Sequence, residues 1–257
     1  MAGRATLPPI AATFRAAAVD VYYQSIRLVP ANLVWGVAFL AWLWLAVAAP
    51  AAIAFAAAPF LCVPLVGVFR LAAQQARGED VVLVDAAGAV RRFGLRSLGL
   101  GAILTGTVVV SLSNVALGVA LGGPAGWSLA TLAAWGLVAA WVAAIVVWPL
   151  LVDPAREDLT IRGRLELAGL VILASPGRFL AFAAALAVVA ALSTVAIVAI
   201  MSISLAFIAA AACRFVLPAA DELERQRGTR GAREPAPGST TIATSAEAAV
   251  TADRSGD

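Results

Sequence analysis

Residues 97–152 read SLGLGAILTGTVVVSLSNVALGVALGGPAGWSLATLAAWGLVAAWVAAIVVWPLLV, 56 residues without one Asp, Glu, Lys, Arg or His. As a single helix this stretch would be about 84 Å long, whereas a bilayer core is about 30 Å thick and takes about 20 residues per crossing. It must therefore double back, and Gly122-Gly123-Pro124-Ala125-Gly126 is where it turns. Two spans result, near residues 100–121 and 128–150. A soluble helix needs a wet face, and a charge near the centre of a spanning helix costs about 2.5–3.5 kcal/mol. The stretch belongs in lipid.

Two more charge-free stretches flank it, residues 28–69 (42 residues) and 179–213 (35 residues). The first is also too long for one crossing. Ala48-Ala49-Pro50 divides it into spans near residues 29–47 and 51–69. Pro59 and Pro64 fall inside the second of these and predict a kink. The last stretch is long for one span and short for two, and no Gly or Pro marks a reversal. Either one tilted span or two short ones, near residues 180–197 and 201–217 with a turn around 198–200, would fit it.

Charge placement favours two. The chain has 18 arginines and no lysine. Three precede the first span, five (Arg70, Arg77, Arg91, Arg92, Arg96) follow the second, four (Arg156, Arg162, Arg164, Arg178) follow the fourth, and six begin at Arg214. With six spans every arginine lies on one side, as the excess of basic residues in cytoplasmic loops requires. The expectation is an all-α, polytopic bundle of six transmembrane helices with both termini cytoplasmic. Residues 1–27 form an interfacial lead-in, 28–217 the transmembrane domain, and 218–257 a cytoplasmic tail. The tail's Gly, Pro, Ser, Thr and Ala content from Gly228 onward predicts disorder.

Two cytoplasmic segments have some pattern. Phe14, Ala18, Val21, Tyr22 and Ile26, at mostly helical spacing, predict a helix leading into the first span. Val81, Val84, Ala87, Val90 and Phe93 recur at three-residue steps, which suits a short surface helix or a plain basic connector.

Composition agrees: 62% hydrophobic, 13% charged, mean hydropathy +0.95, against about 25% charged in soluble domains. The net charge of +3 is carried by loops beside apolar segments, which points to anionic membrane lipid and away from nucleic acid. The alanine-rich, lysine-free composition fits a GC-rich bacterial gene, hence a bacterial inner membrane. No cleavable signal is expected: about 27 mixed residues precede the first apolar run, and Ala46-Val47-Ala48 is followed at once by more membrane-length sequence.

Little chemistry is evident. There is no histidine, and no phosphate-binding or HExxH pattern. Cys62 and Cys213 lie in apolar segments with no second ligand nearby, so no metal or other cofactor is expected. The carboxylates Glu79, Asp80, Asp85, Asp153, Glu157, Asp158 and Glu166 are interspersed with arginines and read as solvated loop charge. Asn114 is the candidate intramembrane polar contact, because an amide in lipid needs a partner. Arg91, Arg92, Arg96, Arg156, Arg162, Arg164 and Arg178 are the candidate cytoplasmic docking residues. Trp127 and Trp148 lie near span ends, where aromatic belts form.

A family resemblance rests on several ordered patterns. They are Asn32-Leu33-Val34-Trp35 opening the first span, then Pro59, Pro64 and Gly67-Val68-Phe69-Arg70-Leu71, then Arg77-Gly78-Glu79. Trp148-Pro149-Leu150-Leu151, Leu167-Ala168 and Pro176-Gly177-Arg178 complete the set. Over residues 12–222 the chain resembles the YesL-like bacterial membrane proteins, also catalogued as domain of unknown function 624. The resemblance implies a compact multi-span protein without an assigned reaction, working as an accessory to other membrane proteins such as a sugar ABC transporter. It does not imply the permease itself. Asp85-Ala86-Ala87 has the start of a permease coupling loop, but Arg91 stands where a glycine would be needed. A small-solute facilitator using Asn114 and the kinked second span is the alternative.

Overall fold

The computed structural model describes residues 8–195 and 203–231. Among them the chain is helical throughout, with no strand. It divides into two compact units, Met1–Ala220 and Asp221–Asp257.

In the first unit, α1 (Ile10–Tyr23) ends at Gln24, and α2 (Ser25–Ala48) begins immediately afterwards. Ala49 and Pro50 adopt extended backbone, so the reversal falls where the proline predicts it. The returning span is broken: α3 (Ala51–Ala57), a 3-10 turn over Ala58–Leu61, then α4 (Cys62–Arg77). Pro59 lies in the 3-10 turn, since its missing N–H and its ring disrupt a continuous α-helix. Pro64 falls in the first turn of α4, where no N–H is needed. Gly78, at φ +73°, closes α4 in the left-handed region and returns its N–H to the last carbonyls of the helix.

Next come α5 (Leu83–Leu121) and α6 (Gly123–Val152), turning at Gly122 and Gly123, both at φ +62°. The sequence separated a surface segment from the third span. The structure joins them into one 39-residue helix. The buried stripe of its first half is Ala89, Phe93, Ser97 and Gly101, at four-residue steps, while Val84 is 75% exposed. Four-residue steps follow the helical period and three-residue steps drift off it, so Val84 and Ala87 rotate away from the core.

Small residues set the packing of α5. A Cβ on Gly118 would lie 2.5 Å from Gly126 O and 2.7 Å from Ala130 N. One on Gly101 would lie 2.8 Å from Cys62 Sγ. These backbones approach closely because nothing projects between them, the usual basis of helix association in lipid.

A 3-10 turn (Pro154–Arg156), α7 (Ile161–Ala174) and α8 (Pro176–Val195) follow, and α9 (Leu205–Gly231) ends the described chain. The predicted turn at 198–200 lies outside the described residues. The pairing of the two limbs is nevertheless fixed: Ser204 Oγ donates to Ser193 Oγ at 2.7 Å, and eleven residues further along each limb Phe182 stacks on Phe215 at 4.1 Å. One continuous helix would hold Ser193 and Ser204 about 16 Å apart. The last apolar stretch is therefore an antiparallel hairpin.

Among the described residues five helices, α2, α3–α4, α5, α6 and α8, are long and apolar enough to cross a membrane. Many apolar side chains on them are exposed, among them Trp44, Ile103, Leu132 and Trp135. Exposed apolar surface on this scale suits lipid as solvent. The chain is an all-α membrane protein. The lead-in helix α1 is also present, but the residues it buries are Thr13, Ala17 and Val21, and Phe14 packs against Phe182 and Phe207 of the α8–α9 hairpin.

In the second unit, α9 continues through residues assigned to the tail by sequence, with Glu222 engaging Arg225 and Gln226 one turn on. The predicted disorder from Gly228 falls largely on residues 232–257, outside the described residues.

Candidate functional site

Two of the arginine-bearing segments, those after the second and fourth spans, converge on one point, the C-terminal end of α6. A helix ends with unsatisfied carbonyls and the negative pole of its dipole. Here arginines from two other helices occupy it. Arg70 of α4 donates to Val152 O at 2.9 Å, and Arg164 of α7 donates to Leu151 O. Arg164 also bonds Arg156 O at 2.6 Å and Glu157 O at 3.2 Å.

Asp153 follows at once and is 0% exposed. Its carboxylate accepts both nitrogens of a guanidinium fork, from Arg77 Nε at 3.1 Å and Nη2 at 2.7 Å. Arg156 and the Ala155 N–H bond the same carboxylate. Glu157 is shared between Arg70, at 2.7 Å, and Arg92. Five guanidiniums thus surround two carboxylates, and carbonyl dipoles absorb part of the surplus positive charge.

Phe93 of α5 supplies the rest of the support. Buried itself, it has Arg92, Arg96 and Arg164 at 5.4, 6.0 and 5.6 Å from its ring centroid. Burial, then the like charge of Arg96, lowers the pKa of Arg164 below its ordinary value. A second bridge ties α1 to α9: Asp20 accepts the fork of Arg214, with Nη2 to Oδ1 at 2.8 Å. Gln74 donates to Asp85 at 3.0 Å and Gln75 to Asp20 O at 3.0 Å, while their buried Oε1 atoms have no hydrogen-bond partner among the described residues.

This arrangement corrects part of the sequence expectation. Arg156 and Arg164, each 3% exposed, face inward and cannot belong to a docking face. Arg91, Arg92, Arg96, Arg162 and Arg178 are exposed. Asp153 and Glu157, expected to be solvated, are the acceptors of the network. The sequence carried a signal for this, since Asp153 and Glu157 directly follow a 56-residue apolar run, but nothing in it indicated which arginines would reach them.

The intramembrane amide is also different from the one expected. Asn114 is half-buried and forms no hydrogen bond among the described residues. Asn32 is 0% exposed, and its Oδ1 accepts from Ala206 N at 3.1 Å. It satisfies a buried backbone N–H near the start of α9.

Beside this contact lies a cavity of about 350 Å³. Its walls are apolar and aromatic, with Trp35, Phe69, Trp141 and Trp148 facing small alanines of α8, and Thr194 and Ser204 at its edge. Those polar groups are engaged elsewhere: Trp141 Nε1 donates to Ala183 O at 2.9 Å and Thr194 Oγ1 to Ala191 O at 2.6 Å. Trp148, expected in an interfacial belt, is 4% exposed and packs on Phe69. Asn114 is not among the cavity residues. Among the described residues no group of His, Cys, Asp and Glu is placed to hold a metal ion.

No family model, curated protein or solved structure matches this chain.

Proposed function

We propose that the protein is a noncatalytic accessory or assembly factor of a bacterial inner membrane, of the YesL-like kind, whose partner is another membrane protein such as a sugar ABC transporter. The observation that carries this reading is the pairing within the ionic network: Asp153 is fully buried, and Glu157, which lines a cavity of about 240 Å³, is engaged by two arginines. Its two carboxylates, Asp153 and Glu157, are each held by two arginines, and such acceptors serve to fix helix ends. General acid–base work needs a carboxyl group within reach of a substrate proton. What remains outward on this end is mixed in sign: Arg91, Arg96 and Arg178 are exposed, and so are Glu79, Asp80, Asp158 and Glu166, the last bridged to Arg162, a pattern suited to a partner surface of complementary charge.

A second reading is favoured by one feature. The tryptophan-lined cavity lies beside a span broken at Pro59, and broken helices line binding sites in transporters. On that reading the protein is a facilitator of a small apolar solute, with Asn114 playing no part. Purification in mild detergent separates the two. A stable complex with a second membrane protein supports the accessory role, and solute flux by the protein alone in liposomes rejects it.

A further inference from the structure

In its second half α5 meets α6 through Ser111 and Gly118, which lie against Gly136 and Gly126. The flank beside that contact is bare. Ile103, Thr107, Val110, Asn114, Leu117 and Leu121 follow one another along it at alternating four- and three-residue steps, the a and d spacing of a left-handed helix pair, with Asn114 at an a position. Five of them are exposed and Asn114 is half-buried. Gly99, Gly106 and Ser113 border the strip at seven-residue steps and are exposed too. A Cβ on either glycine would meet nothing within 4 Å, so packing inside the single chain does not require these positions to be small. Small residues on a spanning helix let a second backbone approach closely.

Lipid can cover the methyl groups of this strip but not its amide. Asn114 stands seven residues, about 10 Å, before the end of α5 at Leu121, within the charge-free stretch. It has no hydrogen-bond partner among the described residues. An amide carries both donors and acceptors, and leaving it unpaired in an apolar medium is costly. An identical amide satisfies it without any other chemistry. Two copies threaded through the membrane in the same sense are related by an axis along the membrane normal. Their α5 helices then run parallel, and each residue of the strip faces its own counterpart.

We propose that α5 pairs with α5 of a second copy of this chain along the strip, the two Asn114 side chains hydrogen-bonded to each other across the axis. A single Asn at an a position fixes both the register and the two-stranded state of such a pair. The pairing is independent of the accessory role and of the tryptophan-lined cavity.

The test uses the full chain. Oxidation in native membranes should link Leu117→Cys, and separately Val110→Cys, into a species of twice the mass. Leu112→Cys, exposed but off the strip, should stay single, as should the parent with its own Cys62 and Cys213. Sedimentation in mild detergent over a range of concentrations should show a monomer–dimer equilibrium. Asn114→Leu should melt like the parent at dilutions where both are monomers, and should weaken the dimer about three- to thirtyfold, the worth of an interhelical amide bond. Asn114→Gln, which keeps an amide, should restore part of that loss. A monomer at every concentration, with no Leu117→Cys product, overturns the proposal. So does an Asn114→Leu dimer as tight as the parent's, or a Leu117→Cys link formed only to a different polypeptide.

Discussion

Substituting Asn for Asp153 tests whether the ionic network is a structural lock. The carboxylate is fully buried and accepts from Arg77, Arg156 and the Ala155 N–H. The amide keeps the volume and one acceptor oxygen but removes the negative charge that faces the buried Arg156. Removing one partner of a buried pair costs about 3–5 kcal/mol, because the other is left desolvated and uncompensated. For a chain of this size that corresponds to a fall of roughly 6–20 °C in melting temperature. Thermal unfolding of detergent-solubilised protein reads it directly. Glu166→Gln is the control: its bridge to Arg162 has side chains 61% and 89% exposed and should be worth little. Replacing the whole cluster, Asp153→Leu with Arg77→Met and Arg156→Met, should recover most of the loss, since apolar substitutes for a buried ionic group are often neutral. An Asp153→Asn protein that melts with the parent would refute the lock. If that same protein had also lost an enzymatic activity on lipid or polysaccharide, the noncatalytic reading would fall with it.

Three further outcomes are expected. Gly118→Ala should destabilise the α5–α6 hairpin by about 1–3 kcal/mol, because its Cβ meets backbone atoms that cannot rotate away; Gly106→Ala, with nothing within 4 Å, should not, and unfolding curves of the two compare them. Asn32→Leu should cost about 1–3 kcal/mol by stranding the Ala206 N–H, whereas Asn114→Leu should leave the melting curve in place; the opposite ranking would return the polar contact to Asn114. A reporter fused after Asp257 and a thiol probe on Arg162→Cys should both read the cytoplasmic side, while Gly123→Cys should label only from the opposite face. Periplasmic signal from the C-terminal fusion would break the even number of crossings.

Composition and charge placement were sufficient for the architecture, because lipid penalises ionised groups wherever they occur and turn residues mark where long apolar runs reverse. The reversals at Pro50 and at Gly122-Gly123, the break at Pro59 and the all-helical class follow from those two rules alone. The last hairpin needed more. Its apolar stretch has no Gly or Pro, and only the Ser193–Ser204 bond and the Phe182–Phe215 stack fix its antiparallel register. Residue spacing also misjudged α5, where continuity of the backbone carried a supposed surface segment into the span.

The site divides along the same line. Sequence alone established that arginines and carboxylates gather beside the ends of spans, since that follows from the chain's order. Which of them are buried depended on where helix ends meet. Arg156 and Arg164 look like Arg91 and Arg162 in one dimension, yet the carbonyl end of α6 and the ring of Phe93 draw Arg164 inward and Asp153 holds Arg156. Asn32 and Asn114 were likewise equivalent as intramembrane amides, and only the start of α9 beside Asn32 distinguishes them. Solvent preference is a property of each residue and is written along the chain. Partnership is a property of pairs far apart in sequence, Asn32 with Ala206 or Arg77 with Asp153, and exists only once the helices have packed.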